Sequence, residues 1–168
     1  MKKKVTKKKK AEVRKIYYSF DNKQREGYRT LGPFARFEKD LPKAEEVEEI
    51  TGEGVLEKVP NLISFIEHCY ALLKPGGTAT FTAPAFNSFQ AWSDPRNIRG
   101  ISQASLNFAD KKWRDENNCP DLCKADFEVG CNYAIDGILN QKSEEAKTFW
   151  LARYNNTIQS MMFVLKKK

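Results

Sequence analysis

One histidine, His68, is all the imidazole this chain has, which excludes a histidine-rich metal centre or a pair of imidazoles sharing acid and base work. Apolar runs are short, and nowhere do about 18 apolar residues follow one another, the length needed to cross a bilayer. Ala11–Arg14, after the opening lysines, offers no apolar core for a secretory signal. The expectation is a soluble, cytoplasmic protein with no membrane partner. Four cysteines, Cys69, Cys119, Cys123 and Cys131, lack the paired short spacings of a zinc site, and reduced thiols are the default inside a cell. No metal is expected. Gly76-Gly77 is not followed by the lysine and hydroxyl of a phosphate-binding P-loop. Glycine is also scarce in residues 15–32, "KIYYSFDNKQREGYRTLG", a strand-like start with a polar middle whose only glycines are Gly27 and Gly32.

Lysine, by contrast, is in excess. The formal charge is +7, yet Lys2, Lys3, Lys4, Lys7, Lys8, Lys9 and Lys10 crowd one end and Lys166, Lys167 and Lys168 the other. Without those ten, 19 basic residues face 22 acidic ones. The basicity belongs to the two ends. A lysine block buries no apolar surface, so residues 1–12 read as a flexible Lys-rich arm and residues 13–168 as a single domain of ordinary size. Such ends attract nucleic acid or an acidic protein surface without specifying either. No aromatic residue is interleaved in the arm to stack on bases, and a solubilising tail remains the alternative.

Val13–Phe20 alternates and is rich in β-branched and aromatic residues, as a strand should be. Short strands near Tyr28–Leu31 and Ala35–Glu38 follow, then one over Val47–Thr51 that enters Gly52 and Gly54. The clearest element is "NLISFIEHCYALLKPGG": Asn61 can cap, the apolar residues fall on one helical face, and Lys74-Pro75-Gly76-Gly77 ends the helix. Thr78–Pro84 reads as a buried strand. A helix, a glycine turn and a strand in that order make a βαβ join, so the sheet is expected to be largely parallel with helices on its faces. The aromatic-rich "AFNSFQAWSDPRNIRG" reads as a long loop, and long loops inside compact domains are often functional. Ser102–Asn117 should be partly helical. A strand over Asp126–Tyr133, a polar helix over Ser143–Arg153 and a strand over Thr157–Leu165 complete the chain.

The run "VLEKVPNLISFIEHCYALLKPGGTATFTAP" resembles class I S-adenosylmethionine-dependent methyltransferases, in which a strand leads to a VLEH-type segment, a helix ending in LKPGG and the next strand. "AWSDPRNIR" resembles the DPxHxR loop of a small-methyltransferase group common in bacterial and phage genomes, and the last helix and strand are similar as well. The resemblance covers the chain from about Val13 onward. It implies an α/β, three-layer Rossmann-like methyltransferase fold with a mostly parallel seven-stranded sheet, minimal or short of a helix, and a cofactor at the carboxyl ends of the first strands.

The same resemblance makes the glycine-poor stretch informative. Glu26-Gly27-Tyr28 matches the family's E-G-Y, which places Ser19, Phe20 and Asp21 where G-C-G is expected and Gly32 where an acid should hold the ribose hydroxyls. A glycine turn lets cofactor lie against backbone with no Cβ intervening; a phenyl ring and a carboxylate do not. Asp40 and Glu53 occupy the remaining cofactor positions that the resemblance implies. Lys58 stands in place of the LEH histidine and Asn97 in place of the histidine of DPxHxR. The amino-methylating NPPY segment is absent, since Thr51-Gly52-Glu53-Gly54 stands there. Phe86, Phe89, Trp92, Asp94, Asn97 and Arg99 form the expected substrate or partner loop; packing of its three aromatics onto the sheet edge is favoured over their covering a substrate or anchoring a partner, and Asp94 and Arg99 either pair to fix the loop or position a substrate polar group. The retained pieces build the fold, and the altered pieces are those that bind and react. The leading reading is a degenerate, non-catalytic protein with no cofactor, acting in an assembly with a protein partner, in the host cytoplasm or virion where the gene is a phage's. The alternatives are an active enzyme using S-adenosylmethionine on an unknown substrate, and a nucleic-acid accessory protein using its Lys-rich ends.

Overall fold

The computed structural model of the chain describes residues 15–18, 24–31 and 47–168. Strands β1 (Lys15–Tyr18), β2 (Arg29–Leu31), β3 (Val47–Glu53), β4 (Leu73–Pro84), β5 (Phe127–Ile135) and β6 (Ile158–Lys167) form one sheet in the order β2-β1-β3-β4-β6-β5. The pairs β1–β2, β1–β3 and β3–β4 are parallel, while β6 runs antiparallel to both β4 and β5. Six strands are present among the described residues. The strand expected around Ala35–Glu38 lies outside them, as do Ser19, Phe20, Asp21, Gly32, Asp40 and the arm from Met1 to Lys10.

Helix α1 (Leu62–Leu72) joins β3 to β4, and the Asn61 side chain accepts the backbone N–H of Ser64 at its start. Phe65, Ile66, Cys69 and Leu72 face inward from it. Phe65 meets the Phe81 ring of β4 edge-on at 5.4 Å and Tyr70 meets Phe127 of β5 at 5.1 Å, so α1 lies along one face of the sheet. With Ile16, Ile50, Phe163 and Leu165 these residues form the core. The two glycines that end α1 have separate reasons. Gly76 sits at φ 75°, in the left-handed region that glycine adopts without steric cost, and a Cβ on Gly77 would stand 2.9 Å from the Lys74 carbonyl and 3.1 Å from that of Glu48. Residues 74–77 thus loop out of the β3–β4 ladder, which resumes at Glu49 and Thr78.

Thr78–Pro84 is a strand, as expected, but is buried on one face only. Ala79, Phe81 and Ala83 are buried, whereas Thr78, Thr80 and Thr82 are partly exposed. In β6 and β5 the same outer face carries exposed Met162, Lys166, Glu128, Gly130 and Asn132. The Thr-Ala-Thr-Phe-Thr-Ala alternation is the period-2 pattern of a sheet with one wet face, and α1 is the described helix that packs along the strands.

Near β1 that outer face is closed by side chains. Tyr17 and Thr51 are register partners and project together. The Arg25 guanidinium donates to Thr51 Oγ1 at 3.2 Å and stands 5.8 Å from the Tyr17 ring centre and 4.8 Å from that of Tyr28. Tyr28 donates to Glu49 at 2.8 Å, and Glu49 pairs with Lys15 at 2.8 Å.

The three C-terminal lysines lie at and just beyond the end of β6. Lys166 and Lys167 are the last residues of β6, and Lys167 is 6% exposed. Its ammonium donates to the carbonyls of Tyr70 and Leu73 at 2.9 and 2.7 Å and sits over the Tyr70 ring. A cation there satisfies the orphan carbonyls at the end of α1 and opposes the negative end of its dipole. Lys168 pairs with Asp110 and Asp126.

Candidate functional site at the carboxyl edge of the sheet

In open α/β sheets ligands bind outside the carboxyl ends of the strands, beside the point where strand order reverses. Here that point lies between β1 and β3. Tyr18 and Arg29 are separated by residues 19–28 alone, and 24–28 of these are irregular chain and turn. The connection between these two parallel strands is about ten residues long, against the dozen or more usual for a parallel crossover. Glu53, at the end of β3, is exposed at this edge.

After β3 the segment 54–60 turns back under the loop that follows β4, and the two are tied by charge. Glu57 is 2% exposed, and its Oε1 lies 3.0 Å from the Lys58 ammonium, which reaches Asp94 at 3.5 Å. Asp94 also takes a two-pronged contact from Arg96 at 2.7–3.1 Å and accepts the Arg96 backbone N–H. Arg96 holds the Asp94 carboxyl well below the usual carboxylate range. The expected Asp94–Arg99 pair is not formed. Arg99 instead donates to the carbonyls of Leu56 at 2.8 Å, Val59, and Pro60 at 2.9 Å. Arg99 can do this because those carbonyls come before the first turn of α1 and have no helical partner. Asn97 donates to the Ala91 carbonyl at 2.8 Å. Lys58 therefore ties two loops together, while Asn97 closes its own loop on itself.

Phe86, Phe89 and Trp92 behave differently. The expected long loop contains a short helix, α2 (Phe89–Ser93), whose N-terminus is capped by Ser88 through the N–H of Ala91. Its three rings stay 48%, 74% and 69% exposed. They line an open groove of about 390 Å³ whose other wall is Asn155 and Asn156, with Asn87 and Ser88 between. Asn156 adopts φ 66° and accepts the Phe89 N–H at 2.7 Å, while its own backbone N–H donates to the Asn87 carbonyl at 2.8 Å. The Asn-Asn turn between helix α3 (Glu144–Arg153) and β6 was not singled out from the sequence, although paired asparagines before a strand are a turn signal. Nor was Arg25, whose partners lie up to 26 residues away.

His68 is half-buried in α1, and burial lowers its pKa. Among the described residues no group of His, Cys, Asp or Glu could hold a metal, and no helix is long and apolar enough to cross a membrane.

A twisted α/β sheet of three parallel pairings closed by one antiparallel strand, with a helix–PGG–strand join at its centre, defines a Rossmann-like methyltransferase architecture. Comparison with solved structures agrees. A SAM-dependent methyltransferase from Archaeoglobus fulgidus superposes with TM-score 0.56 at 16% identity over 84% of this chain and 68% of that one. The YcgJ protein from Bacillus subtilis gives 0.50 at 12% over 85% and 72%, and a protein of Bacillus halodurans 0.50 at 14% over 92% and 83%. No family model and no curated protein matches. At these identities the likeness speaks for the fold. The chain has the class I SAM-dependent methyltransferase fold.

Proposed function

We propose that this chain is a binding or assembly protein on a methyltransferase fold, working without S-adenosylmethionine. The observation that carries the reading is the β1–β2 connection: residues 19–28, half of them irregular chain and turn, where a cofactor turn and helix would be needed. The polar side chains at this edge support it in part, since Lys58, Asp94 and Arg99 are engaged with one another's loops or with backbone, while Glu57 and Asn97 each keep one buried oxygen without a partner among the described residues. Titration calorimetry with S-adenosylhomocysteine tests the reading. No heat of binding is expected, and a dissociation constant of about 10 μM or tighter would overturn it in favour of an active methyltransferase. That second reading is favoured by the open groove, which lies at the edge where this fold takes its ligands. The N-terminal lysines, Lys2 to Lys10, would contact nucleic acid or an acidic partner, with exposed Lys166 at the other end available beside them.

A further inference from the structure

The groove between α2 and the Asn-Asn turn has a definite chemical character. Among the described residues no charged side chain lines it, so a phosphate or a carboxylate finds no counter-charge there. Its apolar surface is three exposed aromatic rings. Its polar surface is almost wholly carboxamide, from Asn87, Asn155 and Asn156, because Ser88 is 1% exposed. A ligand that matches both must be neutral, with flat C–H faces and a rim of hydroxyls.

The walls are held in place. The Trp92 indole N–H donates to the Phe86 carbonyl at 2.8 Å, which orients a ring that is nevertheless 69% exposed. Gly100 lies under both rings, where an added Cβ would come within 2.8 Å of Phe86 Cβ and 3.7 Å of the Trp92 ring. Asn156 ties the far wall to Phe89 through its side chain and to Asn87 through its backbone. A preformed site loses less entropy on binding than a mobile one.

Hydrogen-bonding capacity is left over. Asn87 Oδ1 is buried with no hydrogen-bond partner. A ligand hydroxyl reaching it, after a turn of the carboxamide about its broad terminal torsion, satisfies that atom. A carboxamide both donates and accepts, which suits adjacent hydroxyls that do the same.

We infer that this groove binds a neutral saccharide, with a pyranose C–H face on Trp92 and Phe89 and its hydroxyl rim on Asn87 and Asn155. Nucleic acid suits it less well, because among the described residues no cation lines the stacking surface to meet the backbone. The inference rests on the reading of this edge as a binding edge and not on the absence of cofactor.

The test uses the full chain with maltotriose, chitotriose and methyl glucoside as probes, and with oligothymidylate and an uncharged phenylalanine-containing peptide as controls. Binding is read by saturation-transfer NMR and by shifts of the asparagine side-chain amides. At least one saccharide is expected to bind with a millimolar or tighter constant, and Trp92→Ala to weaken it by about tenfold or more. Asn155→Ala, at an exposed position, serves as a second variant, and thermal melting of both checks that they fold. The inference is overturned if no saccharide binds, if a folded Trp92→Ala or Asn155→Ala protein binds as well as the original, or if either control binds more tightly than every saccharide. Parallel titration with S-adenosylhomocysteine keeps the two readings apart. Cofactor binding alongside saccharide binding overturns the cofactor-free reading and leaves this one standing.

Discussion

Lys58 is a single residue on which the carboxyl edge depends, because it is the cation facing a carboxylate that is 2% exposed. Taking one partner from a buried pair leaves the other charge uncompensated, at a cost of about 3–5 kcal/mol. Urea denaturation of Lys58→Ala should show a loss of that size, and the double variant Glu57→Gln/Lys58→Met a much smaller one. Equal losses would mean that the pair itself contributes the stability. Two other groups contribute to the acid limb of stability, beside the depressed carboxyls of Asp94 and Asp110. Lys15 holds the Glu49 carboxyl below its ordinary 4.5, so the stability from Glu49 is full above that pH and falls as the folded group takes up a proton below it. His68 is pushed below 6.5 by burial, so its contribution also is complete above the ordinary value and is lost as the pH drops beneath it. Glu49→Gln should therefore flatten the stability curve below about pH 4.5, and His68→Gln the part that begins near pH 6.5, both measured as Tm against pH.

Between elements, the end of α1 is joined to the last strand by one ammonium. Lys167→Met removes two hydrogen bonds to buried or half-buried carbonyls and should cost about 1–3 kcal/mol, whereas Lys166→Met, on the exposed face of β6, should stay within about 0.5 kcal/mol. Comparable losses at both positions would place the effect in overall charge instead. Arg99 acts in the same manner across the loops: Arg99→Ala frees three carbonyls and should destabilise by about 2–3 kcal/mol in the same assay. The motif LKPGG was legible as a helix stop because caps and glycine turns are local chemistry. Which carbonyls a lysine 94 residues away would reach was not legible, since nothing local encodes it.

Across the whole molecule, the sheet presents one face to α1 and another, rich in threonine, that is partly wet. Thiol reactivity should follow that arrangement. Cys69 and Cys123 are buried and Cys119 and Cys131 are not, and burial pushes the Cys69 thiol far up. A thiol reagent on the native protein should label Cys119 and Cys131 first and Cys69 only with unfolding, as peptide mapping would show. Early labelling of Cys69 would mean that α1 opens from the sheet well below the global transition.

The order of strands and helices, the ends of α1 and the parallel character of the sheet follow from period, capping and glycine placement, each a property of a few neighbouring residues. Glu26-Gly27-Tyr28 set a register on the same basis, although the residues it points to at Ser19, Phe20, Asp21 and Gly32 lie outside the described part of the chain. Folding decided the pairings. Asp94 met Lys58 and Arg96 instead of Arg99, Lys167 became a cap on α1 and Lys168 an ion-pair partner, and Asn87 came together with Asn155 and Asn156 in a groove. Those outcomes depend on strand register and on loops meeting across 36 to 94 residues of chain. A distance of that kind is set by the packed sheet as a whole, and local pattern carries no measure of it.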